Sequence, residues 1–148
     1  MDARNHLFVI VCGSLVALAS AAVFAQVATK DHTTTTRDGV YTSAQAASGK
    51  VIYSKTCTVC HLDSLAGGVN EAPALKGKQF LSDWEGKPLR SLFGRIISTM
   101  PSDDPGSLSE QETLDVLAFL LEENTCPSGK KPLGPPDALD KIQFVGAK

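Results

Sequence analysis

The sequence predicts an all-α fold: three main helices, a long glycine-rich loop between the first two, and a Pro/Gly-rich arm after the third. Three observations predict it. Apolar residues recur at helical spacing in three segments, each with start or stop signals at its ends. No run alternates apolar and polar residues as a half-buried strand does. The stretch "LDSLAGGVNEAPALKGKQFLSDWEGK" carries glycine at 67, 68, 77 and 86 with little periodicity, and a connection of that length in a small domain is functional or disordered.

The first helix is read in "TSAQAASGKVIYSKTC", residues 42–57. Thr42 and Gln45 have capping-box spacing. Ala46, Gly49, Tyr53 and Cys57 then share one face, and Gly49, costly inside a helix, suits a close crossing by another element. The second is "KPLRSLFGRIISTM". Leu89, Leu92, Phe93, Ile96 and Met100 form its apolar stripe, Pro88 suits its first turn, and Pro101 forbids continuation. The third is "SLSEQETLDVLAFLLEEN". Ser109 and Glu112 make a second capping box, and Glu110, Glu112 and Asp115 lie near the positive end of the helix dipole. Leu114, Leu117, Ala118 and Leu121 form one stripe with Val116 and Leu120 beside it; Phe119 stands off that arc. A helix apolar over so much of its circumference is expected to pack on more than one side. Three such helices leave a thin core, so something else is expected to fill the middle.

The ends carry different chemistry. Arg4 and His6 precede "LFVIVCGSLVALASAAVFA", a weakly basic region followed by an apolar one. Residues 1–25 are expected to be a signal peptide cut after Ala25, or earlier after Ala21, with an uncleaved membrane anchor as the alternative. Either way the rest is expected to be exported to the periplasm. Residues 26–41, beginning "QVATKDHTTTTRDGV", are polar and Thr-rich and read as a flexible leader. The main domain is expected over 42–126. Residues 127–148 form the C-terminal extension, an extended surface arm with one short helical turn near Asp137 to Ile142. The formal net charge is −2, with no basic face of the kind that marks a nucleic-acid binder.

The residues that carry chemistry are in "KTCTVCHLDS", where Cys57, Cys60 and His61 stand together. Four explanations compete. Structural zinc wants four Cys or His ligands, and after export only His32 and Cys126 remain, in a polar leader and a Pro/Gly-rich tail. A thioredoxin-like pair belongs beside a βαβ unit, and no strand run is visible. A plain Cys57–Cys60 disulfide suits an oxidising compartment but leaves His61 idle. The fourth uses every residue: C-x-x-C-H is the attachment signature of haem c. Two cysteines three apart on a helical turn form thioethers to one edge of a porphyrin, His61 becomes the proximal iron ligand, and an apolar disc supplies the missing core. The opposite ligand follows by elimination. Met100 is the one methionine besides Met1, at the tip of an apolar stripe. A Met/His pair makes a low-spin electron-transfer iron of raised potential, whereas Met100 as a simple gap filler is the alternative.

With these residues in place, the stretch from Thr42 to Asn124 resembles a class I cytochrome c. Gly49 and Tyr53 stand eight and four residues before Cys57, where that family places a glycine and an aromatic, and "DVLAFL" matches the D-x-x-A-[YF]-L pattern of its last helix. The resemblance implies the small class I cytochrome c fold around one covalent haem, with Phe119 meeting Gly49 and Tyr53 where two helices cross. It implies that Pro73, in "APALKG", accepts the proximal histidine's N–H through its carbonyl, a bond that fixes the ring and raises ligand basicity. Two positions depart from the family. Leu62 replaces the glycine after the haem histidine, and Cys126 replaces the glycine before the P-x-G turn. Cys126 is expected to be a free surface cysteine, with an intermolecular disulfide as the alternative. Trp84, Arg90 and Arg95 are candidates to bond or neutralise the haem propionates; the competing reading is a core tryptophan and a solvated arginine face.

More narrowly, "DWEGKPL" with "LFGRIISTMP", "PGSLSEQE" and "DVLAFLL" is similar to the cytochrome subunits associated with quinoprotein (PQQ-dependent) dehydrogenases. That likeness implies a redox partner of the dehydrogenase class as donor and an oxidase or another cytochrome as acceptor. A monohaem carrier with both axial positions filled performs no bond chemistry and is not an enzyme. Residues 50–95 hold seven Lys/Arg against four acids, and residues 103–123 hold seven acids and no base. The cationic part is the motif-bearing part, which favours steering of an anionic partner. Two rivals stay open: a haem enzyme or gas sensor with a labile Met100, and a haem-bearing docking subunit of a larger complex.

Overall fold

A computed structural model describes residues 33–146. The predicted signal segment and residues 26–32 of the predicted leader, His32 among them, lie outside them. The described chain is predominantly helical: α1 (Ser43–Thr56), α2 (Thr58–His61), α3 (Lys78–Trp84), α4 (Leu89–Thr99) and α5 (Glu110–Glu123), with 3-10 turns at Val69–Glu71 and Pro136–Lys141. Two two-residue strands, β1 (Thr34–Thr35) and β2 (Ile142–Gln143), pair in parallel with Thr34 opposite Ile142. No helix among the described residues is long and apolar enough to cross a membrane.

The three expected helices are α1, α4 and α5. The cap of α5 is a complete box: the Glu112 amide donates to Ser109 Oγ at 3.3 Å, and the Ser109 amide donates to Glu112 Oε2 at 2.9 Å. The Ser109 hydroxyl, which donates to Glu112 Oε2 at 2.7 Å, and then the Ser109 amide stabilise the carboxylate, so Glu112 titrates below its ordinary value. At α1 the box is only half made. Thr42 Oγ1 accepts from the Gln45 amide at 3.2 Å, but the buried Gln45 side chain turns to the C-terminal arm. Its Oε1 accepts from the Leu133 amide at 2.6 Å and its Nε2 donates to Leu133 O at 3.4 Å. A backbone amide in an apolar setting competes better for that carbonyl than the solvated helix start does.

The core is organised by the crossing of α1 and α5. A Cβ at Gly49 would lie 1.8 Å from the carbonyl oxygen of Asp115, so only glycine lets the two backbones approach this closely. Phe119 points into the crossing and tilts against Tyr53, ring centroids 5.1 Å apart. The apolar surface around α5 is covered on several sides: Thr113, Leu114 and every residue from Val116 to Leu121 are buried. On α4 the buried residues are Leu89, Leu92, Phe93 and Ile96, the stripe read from the sequence.

Three expectations change. The long loop contains α3, whose buried Phe80 and half-buried Trp84 sit four apart and pack with rings tilted, centroids 6.3 Å apart. The leader is packed from β1 onward: Thr36 and Tyr41 are fully buried, and Tyr41 Oη donates to Cys126 O at 2.6 Å. The arm does more than run over the surface, because Leu133, Leu139 and Phe144 are core residues. Phe144 packs edge-on against Phe80 at 6.0 Å and exchanges backbone bonds of 2.9 Å with Gly86 and Lys87. Three apolar anchors spaced six and five apart carry no helical or strand period, which is why the arm reads as irregular in sequence.

Candidate functional site

Cys57 ends α1 and caps α2 without leaving the right-handed helical region, at φ −112°, ψ −27°. The turn therefore continues: the amides of Cys60 and His61 both donate to Cys57 O, at 3.2 and 2.9 Å. This places both sulfurs and the imidazole on a single turn. No disulfide joins the cysteines, which are both half-buried thiols. Burial pushes the Cys57 thiol up, opposed by the Thr56 hydroxyl 3.3 Å away.

His61 is buried, 7% exposed. Its Nδ1 lies 2.9 Å from the carbonyl oxygen of Pro73. A carbonyl can only accept, so Nδ1 bears the proton and Nε2 keeps its lone pair for a metal. The loop that brings Pro73 there is tied down by its backbone: Gly67 N to His61 O at 3.1 Å, Gly68 N to Ala72 O at 2.8 Å and Leu75 N to Leu65 O at 2.8 Å. Gly67 itself, at φ +69°, allows the approach; a Cβ there would sit 2.3 Å from Ala72 O and 2.6 Å from Pro73 O.

At Leu62 the chain leaves the helix at φ +61°, ψ 160°. That region is nearly exclusive to glycine and costs any other residue about 1–3 kcal/mol. Leu62 holds it because its amide donates to Thr58 O at 2.9 Å and its carbonyl accepts Tyr53 Oη at 2.8 Å. The departure from the family's glycine thus keeps the turn and strains it. Tyr53 is pushed well above the ordinary tyrosine range by burial first, then by the nearby Cys57 and acidic groups.

The remaining predicted residues divide. Met100 follows α4 in an extended conformation and is half-buried against the core, as is Trp84. Lys87 Nζ lies over the Trp84 ring, 5.3 Å from its centroid. Arg90 Nη1 is buried without a hydrogen-bond partner; its nearest carboxylate oxygen, Asp137 Oδ1 on the arm, is 3.9 Å away, too far for a hydrogen bond. Arg95 is exposed, and its one recorded bond is Thr99 Oγ1 donating to its backbone carbonyl. The structure therefore joins Cys57, Cys60, His61 and Pro73 in one hydrogen-bonded unit and leaves the Arg95 side chain without a hydrogen bond or ion pair among the described residues. Cys126, expected on the surface, is only 4% exposed. Burial raises its thiol pKa, opposed by a bond from Thr36 and the charge of Arg37. It fills the seam between the leader and the end of α5, which removes an intermolecular disulfide along with the surface thiol.

Sequence reasoning missed Asn124. This buried side chain donates from Nδ2 to Leu75 O at 2.9 Å and Leu120 O at 2.8 Å, and accepts the Gly77 amide on Oδ1 at 3.2 Å. It clamps the loop to the end of α5. An Asn at a helix end was the available signal, but that residue is equally common as a simple cap.

These features fit a covalent haem. Two adjacent free thiols and an imidazole with its outer nitrogen free match the group's edge and iron, and half-buried Ile52, Leu75, Trp84, Ile97 and Met100 pack against the core as apolar side chains suited to its faces. The orphaned Arg90 Nη1 suits an anionic substituent. Among the described residues no cluster of three His, Cys, Asp or Glu side chains could hold a metal ion unaided.

The comparisons with known proteins bear on the family and the fold. The family model for "Cytochrome C oxidase, cbb3-type, subunit III" matches residues 44–120, just over half of the chain. A chain in the crystal structure of the sulfane dehydrogenase SoxCD from Paracoccus pantotrophus superposes with a TM-score of 0.50 over 75% of this chain at 20% identity. This chain spans only 60% of that one, and at such identity the likeness concerns the fold. Among curated proteins none matches. The chain belongs to the family of cytochrome c oxidase cbb3-type subunit III domains, class I c-type cytochromes that bind haem c covalently and transfer electrons.

Proposed function

We propose that this protein is an exported one-electron carrier, holding a single haem through the sulfurs of Cys57 and Cys60, with His61 and Met100 as axial ligands. The observation that carries the reading is the 2.9 Å bond between His61 Nδ1 and Pro73 O, one turn from two unpaired thiols. It fixes the tautomer and aims the free nitrogen of a buried ring. The bound haem supplies a reversible ferric/ferrous couple.

The chain's own residues do the rest. Pro73 O holds the His61 proton and raises the basicity of Nε2. Met100 offers a neutral thioether that favours the reduced state, and α4 brings it to the core on the stripe of Leu89, Leu92, Phe93 and Ile96. Trp84 and Arg90 lie on the half-buried side, where a guanidinium with a free buried nitrogen suits a carboxylate; exposed Arg95 contributes at most long-range charge. With His61 and Met100 both holding the iron, no open position would be left for a substrate, and the protein would transfer electrons without bond chemistry.

The apolar segment at residues 7–25 supports export to the periplasm, as a cleaved signal or an anchor. The proposed donor is a dehydrogenase of the quinoprotein class, on the likeness of the α4 and α5 segments to the cytochromes of those enzymes, and the proposed acceptor is an oxidase or another cytochrome. The test is the optical spectrum of protein matured in a periplasm. The oxidised form is expected to show the weak far-red charge-transfer band of a thioether-ligated low-spin iron, and Met100→Ala to abolish it. Its absence from the native protein, or its survival in the variant, removes Met100 as ligand.

A further inference from the structure

The carbonyl that accepts the His61 ring proton sits on a loop with little to hold it from within. Pro73 is exposed, so burial does not fix its position. Among the described residues, the hydrogen bonds of residues 63–74 run within that stretch or to His61, Leu62 and Leu75, and bonds of that kind can move with the loop. Leu65, Asn70 and Glu71 hold positive φ angles of 58°, 48° and 61°. Such angles are strained for residues with a side chain, and an unrestrained loop would relax out of them.

The restraint comes from the end of α5. Asn124, its C-terminal cap and only 4% exposed, donates from Nδ2 to Leu75 O at 2.9 Å and accepts the Gly77 amide on Oδ1 at 3.2 Å. Between these two, Lys76 reaches Glu123 Oε2 at 3.1 Å. Three consecutive residues, beginning two after Pro73, are therefore tied to two consecutive residues of the helix end. The second Nδ2 hydrogen goes to Leu120 O at 2.8 Å, so both donors of the carboxamide are used and its orientation is fixed. A buried amide is costly unless its polar atoms are paired, and a helix can end without one. The use of Asn124 lies with the loop it holds.

We propose that Asn124 is a positioning residue for the iron's histidine: through Leu75 and Gly77 it keeps the Pro73 carbonyl on His61 Nδ1 and so sets the redox potential. The inference rests on the reading of His61 as an axial ligand. A carbonyl held firmly on the Nδ1 proton makes Nε2 more basic. A more basic nitrogen favours the ferric charge, so a loosened carbonyl favours the ferrous state and moves the potential up. Losing the Met100 thioether would move it down, which separates the two sides of the site.

The experiment is a spectroelectrochemical titration of the haem-loaded protein, with urea unfolding alongside. At the native midpoint potential, Asn124→Ala is expected to raise the ratio of reduced to oxidised protein about threefold, an upward shift of about 28 mV at 59 mV per tenfold for one electron. Gln45→Ala removes two bonds to Leu133 from an equally buried amide; it is expected to lower the urea midpoint and leave the potential unchanged. An unchanged or lowered potential in Asn124→Ala, or the same rise in Gln45→Ala, overturns the positioning role. Hydrogen exchange on the native protein decides the matter even if Asn124→Ala does not load haem. One opening should release both groups, so the Gly77 amide and the His61 Nδ1 proton are expected to show protection factors within about tenfold of each other and the same urea dependence. A larger gap in either direction overturns the inference. Native protein without a reversible one-electron couple overturns the electron-carrier reading itself, and the role of Asn124 falls with it.

Discussion

Gly49→Ala is the sharpest test of how this domain is held together, because two physical effects predict opposite signs. In an unconstrained helix the change would stabilise by about 0.5–1 kcal/mol, since alanine loses less backbone entropy. At the α1/α5 crossing the new Cβ would lie 1.8 Å from Asp115 O, 2.3 Å from its carbonyl carbon and 2.8 Å from Val116 N. All are backbone atoms with no rotamer to yield. Restoring even the 3.4 Å lower end of ordinary contact moves the helices apart by about 1.6 Å, and a gap near 1 Å already forfeits up to half of each dispersion contact. Tyr53, Val116 and Phe119 are all 2–3% exposed, and each contributes roughly 1.5–3 kcal/mol by burial. Losing part of three such contributions, with overpacking strain of about 1–3 kcal/mol, outweighs the propensity gain. The expected net loss is about 3 kcal/mol, or a Tm lower by about 10–15 °C for a domain of this size. Urea unfolding of the haem-loaded protein, followed by circular dichroism, measures it. A midpoint equal to or above that of the native protein would refute the crossing geometry.

Three further outcomes follow from individual contacts. Cys126, 4% exposed with its thiol pKa raised by burial, is expected to resist an aromatic disulfide reagent in the native protein and to react fully in denaturant; stoichiometric native labelling would return it to the surface. Asn124→Ala removes bonds to Leu75 O, Leu120 O and Gly77 N, and is expected to cost about 2 kcal/mol and to speed amide exchange at Gly77. The third concerns alkaline pH. Burial, with the charges of Glu122 and Cys126, raises Tyr41 from 10.0 to about 12, so above pH 10 the unfolded chain loses this proton and the folded chain keeps it. Stability from this group is complete below pH 10 and is lost as pH rises toward 12, at about 1.4 kcal/mol per pH unit. Urea midpoints across that window should fall less steeply in Tyr41→Phe.

What was legible in the sequence followed periodicity and local chemistry. The 3.6-residue stripe of α4, the Ser109–Glu112 box and the Cys57–Cys60–His61 turn are each encoded within a few residues, and the structure reproduces their local form. Phe119 was assigned to the crossing although it lies off the α5 stripe, because the family likeness supplied a partner that periodicity could not. The misses are long-range. Gln45 abandons the cap for Leu133, 88 residues on; Thr36 bonds Val145 across 109 residues at 2.9 Å; Tyr41 and Cys126 bury one another across 85. No local pattern announces a contact of that kind, and the polar, Thr-rich or Pro-rich segments that make them look solvated by composition. The segment α3 was missed for another reason: glycines on both sides, at 77 and 86, masked the Phe80–Trp84 spacing.

The two sides of the proposed haem site are built to different stiffness. Around His61, five bonds interlock between Tyr53 and Leu75: Pro73 O on the ring, Tyr53 Oη on Leu62 O, and the backbone pairs His61–Gly67, Leu65–Leu75 and Ala72–Gly68. The positive φ angles of Leu62, Leu65, Gly67, Gly68, Asn70 and Glu71 belong to this loop, which sacrifices backbone comfort to bring one carbonyl to one nitrogen. Beyond Met100 the chain makes two plain turns, Asp104 N to Pro101 O at 3.1 Å and Ser107 N to Asp104 O at 3.3 Å, over residues 102–107 that are all exposed. Opening the first side breaks several bonds at once, while opening the second breaks few and exposes little new surface. On the proposed ligation, then, strain or denaturant releases the thioether well before the imidazole. An intermediate that has lost the far-red band but kept His61 bound is the expected first step of unfolding, and loss of both ligands in one transition would show the two sides to be equally firm.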